Sequence, residues 1–206
     1  MNSSKMLYSV KNYLSQFGKP DEKIIQAIEK IDRKNFMEKN KSFAYLDQAI
    51  PIGHGQTISQ PSTVARMLSL LELKKTDGVL EIGTGSSWNA ALLGELSKKV
   101  LTLEIVSELA KISQEKIKKF GIKNVEVKQK DFRKLNQKFN KIIFTAGISS
   151  EQEQLIENFA KNHLKQNGIL ICPYREGHLI ILKKKKTKIE KNYTEENYVF
   201  VPLILK

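Results

Sequence analysis

The chain has 206 residues, 40% hydrophobic and 28% charged, which is typical of one soluble domain with a sizeable core. No apolar run approaches the roughly eighteen residues of a membrane span, and no secretory signal pattern begins the chain, so we expect neither membrane insertion nor export. The single cysteine, Cys172, excludes an internal disulfide and agrees with a cytoplasmic location.

The net charge of +13 raises the question of a nucleic-acid partner. Proteins that read nucleic-acid bases favour arginine for bidentate contacts. Here lysine dominates, and the arginines are few: Arg33, Arg66, Arg133 and Arg175. The composition therefore favours a solvated basic surface over a nucleic-acid site, without excluding one.

The first third of the chain predicts three helices and one turn-rich loop. Apolar residues recur at helical spacing over 6–18, and Asp21 can cap a second helix over 22–31. Residues 35–60 are rich in turn formers. A third helix is predicted over 61–71, because it begins with a proline.

From residue 78 onward, strand patterns alternate with helix patterns. The predicted strands are 79–82, 100–104, 125–127, 141–144 and 169–172, and the predicted helices are 89–98, 107–120 and 151–164. This alternation predicts an α/β fold with a doubly wound, Rossmann-like parallel sheet and helices on both faces.

The tail predicts an antiparallel end to this sheet. Segments 177–183 and 198–205 both have strand patterns, and only a lysine-rich turn region separates them. The lysine run 183–186 is predicted to form an exposed edge or turn, where it would discourage edge-to-edge pairing.

The strongest local motif is VLEIGTGSSW at 79–88, a hydrophobic strand that runs into a glycine turn and a helix. Its two glycines allow a tight turn and a close approach of the backbone to a ligand. Glu81 suits a cationic ligand better than a pyrophosphate, because like charges repel. S-adenosylmethionine carries a sulfonium and an ammonium group, and the motif predicts that it contacts Glu81, Gly83, Thr84, Gly85 and Ser86.

Two more acidic residues follow successive strands. Glu104 ends the second strand, 21 residues after Gly83, at the spacing of an acid that accepts hydrogen bonds from ribose hydroxyls. Asp131 follows the third strand, at the edge of a predicted adenine pocket, and Phe132 either stacks on adenine or fills core space. Taken singly, the glycines could form a plain turn, Glu104 a surface carboxylate and Asp131 a cap. Their order and spacing favour a cofactor site.

A longer segment resembles a known family. Residues 44–61, AYLDQAIPIGHGQTISQP, closely resemble the hallmark segment of protein-L-isoaspartate O-methyltransferases. Residues 79–86, 139–146 and 200–203 are similar to further segments of that family. The resemblance covers the chain from about residue 14 to 205.

The resemblance implies a single methyltransferase domain over 1–206. Within it, a helical and loop part, 1–75, would cover the substrate, and a sheet part, 76–206, would hold S-adenosylmethionine. The implied reaction is methylation of L-isoaspartyl carboxylates in damaged proteins or peptides, and a monomer is expected. By the same resemblance Ser59 is the active-site residue, Thr57 and Ile58 close over the cofactor, and the substrate contacts are Ile58, Ser59, Gln60, Val201 and Pro202.

This chain departs from the family pattern at three places. The family usually has glycine and an aromatic residue where this chain has Ser87 and Trp88, and Gly-Asp-Gly where it has Lys130-Asp131-Phe132. The family's Pro-Val-Gly is replaced by residues 173–175, Pro-Tyr-Arg. These changes could reduce activity more than they alter the fold.

The chemistry needs no general base, because a carboxylate is already ionised at neutral pH. The hydroxyl of Ser59 could bond one carboxylate oxygen while the other attacks; its alternative role is a cap for the following helix. His54, between two glycines, is expected to be incidental, and no metal site is expected because His163 and His178 are scattered.

Three alternatives stay open at this point. A nucleic-acid methyltransferase can share the fold, but residues 145–148 lack an Asp/Asn-Pro-Pro-aromatic motif, and Cys172 is the sole candidate nucleophile for cytosine methylation. The chain could also methylate an aspartate in one partner protein. A homologue that binds the cofactor without catalysis is the third alternative, motivated by Ser87, Trp88 and Phe132.

Overall fold

The computed structural model describes residues 3–186 and 188–205. Its α-helices are α1 (Ser3–Ser15), α2 (Glu22–Lys30), α3 (Pro61–Leu71), α4 (Trp88–Leu96), α5 (Ser107–Lys119) and α6 (Glu153–His163). Its strands are β1 (Ile50–Gly53), β2 (Gln56–Ile58), β3 (Gly78–Ile82), β4 (Lys99–Glu104), β5 (Val125–Gln129), β6 (Phe139–Phe144), β7 (Leu164–Pro173), β8 (Glu176–Gly177), β9 (Leu179–Lys185), β10 (Lys188–Tyr193) and β11 (Tyr198–Val199). Short 3₁₀ helices lie at Arg33–Phe36, Lys41–Phe43, Phe132–Lys134 and Ser150–Gln152.

The seven-stranded sheet has the order β10-β9-β7-β6-β3-β4-β5. The five strands from β3 to β7 pair in parallel, and β9 and β10 add an antiparallel end. This arrangement confirms the predicted doubly wound fold. The order reverses between β3 and β6, and open parallel sheets bind ligands beyond the carboxyl ends of strands at such a point.

The central strands are buried on both faces, which is why they read as continuous apolar runs. Successive side chains point to opposite faces, so Val79 and Val100 join one core cluster while Leu80 and Leu101 join the other. The first cluster packs the sheet against α1 to α5, and the second packs it against α6. No helix within the described residues is long and apolar enough to cross a membrane.

The three N-terminal helices form where they were predicted, and Asp21 caps α2 by accepting a hydrogen bond from the Lys23 backbone N–H at 2.9 Å. The predicted capping alternative for Ser59 is wrong. Gln60 is the N-cap of α3, and it makes no side-chain capping bond. Instead the Asp47 carboxylate accepts hydrogen bonds from the Ser62 backbone N–H and hydroxyl.

The prediction for the tail was partly wrong. The lysine-rich region predicted as a turn contains β10, which pairs with β9 over six residues, so lysines 183–185 lie in an inner strand instead of at the edge. Of segment 198–205 only β11 is a strand. Residues 200–204, here called the C-terminal strap, lie beside Gly147, three residues after β6. There the Gly147 N–H donates to the Val201 carbonyl and the Leu203 N–H donates to the Gly147 carbonyl. Pro202 lacks an N–H and cannot continue a ladder inside the sheet.

Candidate active site

A central cavity lies beyond the carboxyl ends of the parallel strands, at the switch point. The space between its walls, including the part open to solvent, is about 940 Å³. Its walls are formed by residues 56–59, 82–86, 88–89, 103–105, 130–132, 145–146 and 200–204, with Val64 and Met67. The turn after β3, the end of β4, the hairpin β1–β2 and the C-terminal strap thus meet at one place.

Backbone angles and one close contact explain the two glycines in the turn after β3. Gly83 has φ +97° and Gly85 has φ +50°, both in the left-handed region. A Cβ on Gly83 would lie 2.3 Å from the Thr145 Oγ1 atom. Thr84 is buried, and its hydroxyl shares a hydrogen bond with the Thr102 hydroxyl at 2.6 Å.

Glu104 holds the turn and faces the cavity. Its Oε2 atom accepts a hydrogen bond from the Gly85 N–H at 2.8 Å, and its Oε1 atom accepts from the N–H groups of Ile105 (2.8 Å) and Val106 (3.0 Å). Each carboxylate oxygen can accept more than one hydrogen bond, so acceptor capacity remains for ligand hydroxyls. The alternative interpretation of Glu104 as a free surface carboxylate is therefore wrong.

Asp131 and Phe132 both reach the cavity wall. Asp131 also caps the following 3₁₀ helix, and the Arg133 guanidinium, which donates to its carboxylate, lowers the pKa of that carboxyl. The Phe132 ring packs edge-to-face on Phe144 at 5.2 Å and on Phe159 at 5.0 Å. Phe132 thus mainly fills core space, and only part of it borders the cavity.

Glu81, in contrast, does not line the cavity. Its side chain is fully buried behind the turn, where Asn89 and Thr102 donate hydrogen bonds to its two oxygens. Burial, reinforced by the nearby charge of Glu104 and opposed by the two hydrogen bonds, raises the pKa of Glu81 to about 8. The predicted direct contact between Glu81 and the cofactor is therefore not the arrangement in this structure; Glu81 supports the turn from behind.

The raised pKa of Glu81 predicts a pH effect on stability. Between about pH 4.5 and 8 the folded chain holds a proton at Glu81 that the unfolded chain has released, so stability falls as pH rises through this window. We expect Glu81→Gln, which cannot ionise, to gain melting temperature relative to wild type as pH rises from 5 to 8. Thermal unfolding across that range, with the exposed Glu126→Gln as control, tests this; a constant difference would contradict it.

Facing the glycine turn, the hairpin end carries Thr57, Ile58 and Ser59 into the cavity wall. Beside the cavity lies a second space, here called the outer groove, which Gln60 also lines. Five residues border both spaces: Thr57, Ser59, Thr145, Phe200 and Val201. Pro202 borders only the cavity. Within the described chain, no group hydrogen-bonds to the Ser59 hydroxyl.

Ser87 and Trp88, the departures from the family pattern, are both buried. Ser87 does not line the cavity, so it does not narrow it; it has φ +66°, in the left-handed region that glycine favours. Trp88 lines the cavity, and its indole N–H donates to the Ile31 carbonyl at 2.9 Å. The cost of Ser87 is thus backbone strain.

Ser87→Gly is expected to raise the free energy of unfolding by about 1 kcal/mol. Relief of the left-handed strain stabilises the folded chain, and the greater conformational freedom of glycine in the unfolded chain offsets part of this gain. For a domain of this size the net gain corresponds to a rise of about 2–4 °C in melting temperature. The matched control is Ser97→Gly, a buried serine with φ −134°, which should lower it. A Ser87→Gly variant less stable than wild type would refute the strain.

The structure also brings in residues that the sequence did not single out for the site. Thr145 borders both spaces and donates to the Gly83 carbonyl, while Asn89 lines the cavity and holds Glu81. Arg33 bonds to the Ser59 carbonyl from behind. Thr145 lies just after a strand of the predicted sheet, which was a usable signal; the other two depend on the tertiary arrangement.

Other candidate residues lie elsewhere. His54 is exposed at the tip of the β1–β2 hairpin, with φ +54° between two glycines. Cys172 is buried in β7, outside the cavity wall, and burial raises the pKa of its thiol, which disfavours a nucleophile. In the described part of the chain, no three His, Cys, Asp or Glu residues are grouped to hold a metal ion.

Comparison with known proteins identifies the family. A family model described as protein-L-isoaspartate(D-aspartate) O-methyltransferase (PCMT) matches residues 2–206. The chain belongs to this family. A protein-L-isoaspartate O-methyltransferase of Thermosipho melanesiensis is 39% identical over 202 residues, covering 93% of this chain and 98% of the relative. One of Flavobacterium johnsoniae is 40% identical over 198 residues, covering 93% and 90%.

Solved structures agree on the fold of this PCMT family member. A protein-L-isoaspartate O-methyltransferase has a TM-score of 0.83 at 24% identity, over 98% of this chain and 66% of that chain. A Plasmodium falciparum structure, described as a PCMT in complex with S-adenosyl-L-homocysteine, has a TM-score of 0.79 at 24% identity, over 99% of both chains. Family membership gives the chain its activity, O-methylation of L-isoaspartyl residues with S-adenosylmethionine as methyl donor.

Proposed function

We propose that the central cavity holds S-adenosylmethionine, that the outer groove holds the isoaspartyl segment of a damaged protein, and that methyl transfer occurs where the two meet. The observation that carries this proposal is the set of residues common to both spaces, which includes Thr57, Ser59 and Thr145. In this arrangement residues 76–206 supply most of the wall that holds the cofactor, and residues 1–75 contribute Thr57, Ser59 and Gln60 to cover the substrate.

The cavity suits S-adenosylmethionine in its chemistry. Two carboxylates, Glu104 and Asp131, border it and favour a cationic ligand with hydroxyl groups, while Leu103, Ile105 and Phe132 offer an apolar wall for an adenine ring. When bound, the cofactor supplies a methyl group activated by the sulfonium. The Plasmodium falciparum structure, with S-adenosyl-L-homocysteine bound, supports the same assignment by analogy.

The reaction is a displacement at the methyl carbon. A bond forms between a carboxylate oxygen of isoaspartate and the methyl carbon while the carbon–sulfur bond breaks, which leaves a neutral ester and a neutral thioether. No proton moves, so the chain has to supply alignment and exclusion of water. The free hydroxyl of Ser59 donates to one carboxylate oxygen and leaves the other aimed at the methyl carbon.

Substitution of Ser59 tests this role. A hydrogen bond to a charged group contributes about 1.5–3 kcal/mol, so Ser59→Ala should lower kcat roughly 10- to 100-fold on an isoaspartyl peptide. The affinity for S-adenosylmethionine, measured by calorimetry, should change little. The control is Ser69→Ala, which removes a hydroxyl bonded to the Arg66 carbonyl outside both spaces. Wild-type kcat in Ser59→Ala would remove Ser59 from the reaction.

The partner and location follow as further parts of the proposal. We propose a cytoplasmic monomer acting on damaged proteins, which fits a free cysteine and a site built from one chain. Several surface lysines are paired with glutamates, including Lys128 with Glu126 and Lys183 with Glu72. This pairing favours a solvated basic surface over a nucleic-acid site.

A further inference from the structure

We propose that Arg33 is the positioning residue that sets Ser59 for methyl transfer, by fixing the backbone of the substrate side against the cofactor side. This inference rests on the proposed function of Ser59. It assigns to Arg33 a role in the rate of the reaction, beyond a contribution to folding.

The Arg33 guanidinium is surrounded by backbone carbonyls. Its Nη1 atom donates to the carbonyls of Ala44 (2.8 Å) and Leu46 (3.2 Å). Its Nη2 atom donates to the carbonyls of Gln48 (2.8 Å), Ile58 (3.2 Å) and Ser59 (2.9 Å). Five carbonyls from two separate segments therefore converge on one planar group, and two of them belong to the residues that enter the cavity wall.

This arrangement is costly, which argues that its geometry matters. Arg33 is 0% exposed, and burial lowers its pKa to about 10, opposed by the charge of Asp47. The residue stays protonated at neutral pH without a carboxylate in contact, and its Nε atom has no partner among the described residues. A buried cation is tolerated only where its bonds compensate for lost hydration.

On its other side, the guanidinium faces Trp88, a residue of the cavity wall. Its central carbon lies 5.5 Å from the ring centroid of Trp88, the first residue of α4, directly after the glycine turn. Trp88 is one of the residues that line the cavity, and its indole N–H donates to the carbonyl of Ile31, two residues before Arg33. Arg33 thus lies between the Ser59 backbone and the helix that starts at the turn, where it sets their separation.

Lysine is the informative substitution. It keeps the charge, but a single ammonium with three hydrogens cannot reach five carbonyls arranged around a planar fork. We expect Arg33→Lys to lower kcat at least tenfold on an isoaspartyl peptide, while the Kd for S-adenosylmethionine stays within threefold. Rates are to be expressed per cofactor-binding site, so that loss of folded protein does not count as loss of rate.

A matched control separates positioning from stability. Lys116 is another largely buried cation, and it donates to the Phe36 carbonyl at 2.9 Å in the same 3₁₀ helix as Arg33. Lys116→Met should lower the melting temperature and leave kcat per binding site unchanged. If Arg33→Lys behaves in the same way, with kcat unchanged, the inference is wrong.

The double variant is the more stringent test. If Arg33 acts through Ser59, then Arg33→Lys should cost less than threefold in kcat in a Ser59→Ala background. Full additivity would overturn the inference. If Arg33→Lys does not fold, Asp47→Asn takes its place, because it loosens the same segment from α3. It should then lower kcat at least tenfold alone and less than threefold in the Ser59→Ala background. An inactive wild type would instead refute the proposed function.

Discussion

Gly83→Ala is expected to abolish binding of S-adenosylmethionine at concentrations that saturate the wild-type protein. The new Cβ would lie 2.3 Å from Thr145 Oγ1, and φ +97° is already unfavourable for any residue with a side chain. Thr145 would have to leave its bonds to the carbonyls of Ile82 and Gly83, which shape the turn. We expect at least a 100-fold rise in Kd, measured by calorimetry, and a lower melting temperature.

Gly18→Ala is the control for the backbone strain in this experiment. Gly18 has φ +116°, but a Cβ there meets no atom within 4 Å, and it lies outside the cavity wall. Gly18→Ala should therefore lose stability and retain cofactor binding. If Gly83→Ala bound the cofactor as well as Gly18→Ala does, the close approach of the turn to Thr145 would have no part in the site.

The second large effect is expected from Glu104→Gln. The amide keeps the shape of the side chain, but only its oxygen can accept hydrogen bonds, so the NH₂ group must displace either the bond from the Gly85 N–H or the two bonds from the Ile105 and Val106 N–H groups. The substitution also removes a negative charge beside a cationic ligand and an acceptor for ribose hydroxyls. Together these losses amount to about 3 kcal/mol, or roughly a 100-fold rise in the Kd for S-adenosylmethionine.

Glu126→Gln makes the same chemical change on the exposed side of β5, where Glu126 forms an ion pair with Lys128. It should leave the affinity for the cofactor unchanged. A Glu104→Gln variant with an affinity like that of Glu126→Gln would show that Glu104 neither shapes the turn nor contacts the ligand.

Much of the fold was predictable because its signals are local. The central parallel strands β3, β4 and β6 are buried on both faces and therefore appear as short apolar runs, and the glycine turn combines positive φ values with the start of a helix. The 21-residue spacing from Gly83 to Glu104 follows from one helix and one strand placed between them. The site acids Glu104 and Asp131 could be placed at one edge for the same reason.

What the sequence could not predict depends on tertiary contacts. Glu81 belongs to the same motif as Gly83, yet the alternation of side chains along the strand points Glu81 into the core, away from the cavity. Strand β10 has two lysines and one glutamate among its six residues and little apolar pattern, so its pairing with β9 decides its conformation. In the sequence, Arg33 cannot be distinguished from a surface charge, because its burial depends on contacts with Ala44 and Ser59, which are distant in the chain.

Ser87, which stands where the family usually has glycine, has a structural explanation. A serine is tolerated at φ +66° because the turn around it is fixed by Glu104 and by the buried pair of Thr84 and Thr102. Since the cavity wall does not include Ser87, the departure costs stability and leaves the site open. Nothing in this arrangement requires the chain to be inactive.

The central claim is tested most directly by methyl transfer to a pair of peptides. The wild-type protein is mixed with S-adenosylmethionine labelled in the methyl group and with peptides that carry L-isoaspartate or L-aspartate at the same position. Base-labile label on the isoaspartyl peptide alone is the predicted result. Equal label on both peptides, or no label on either while the cofactor binds, would contradict the assignment of this site to L-isoaspartyl methylation.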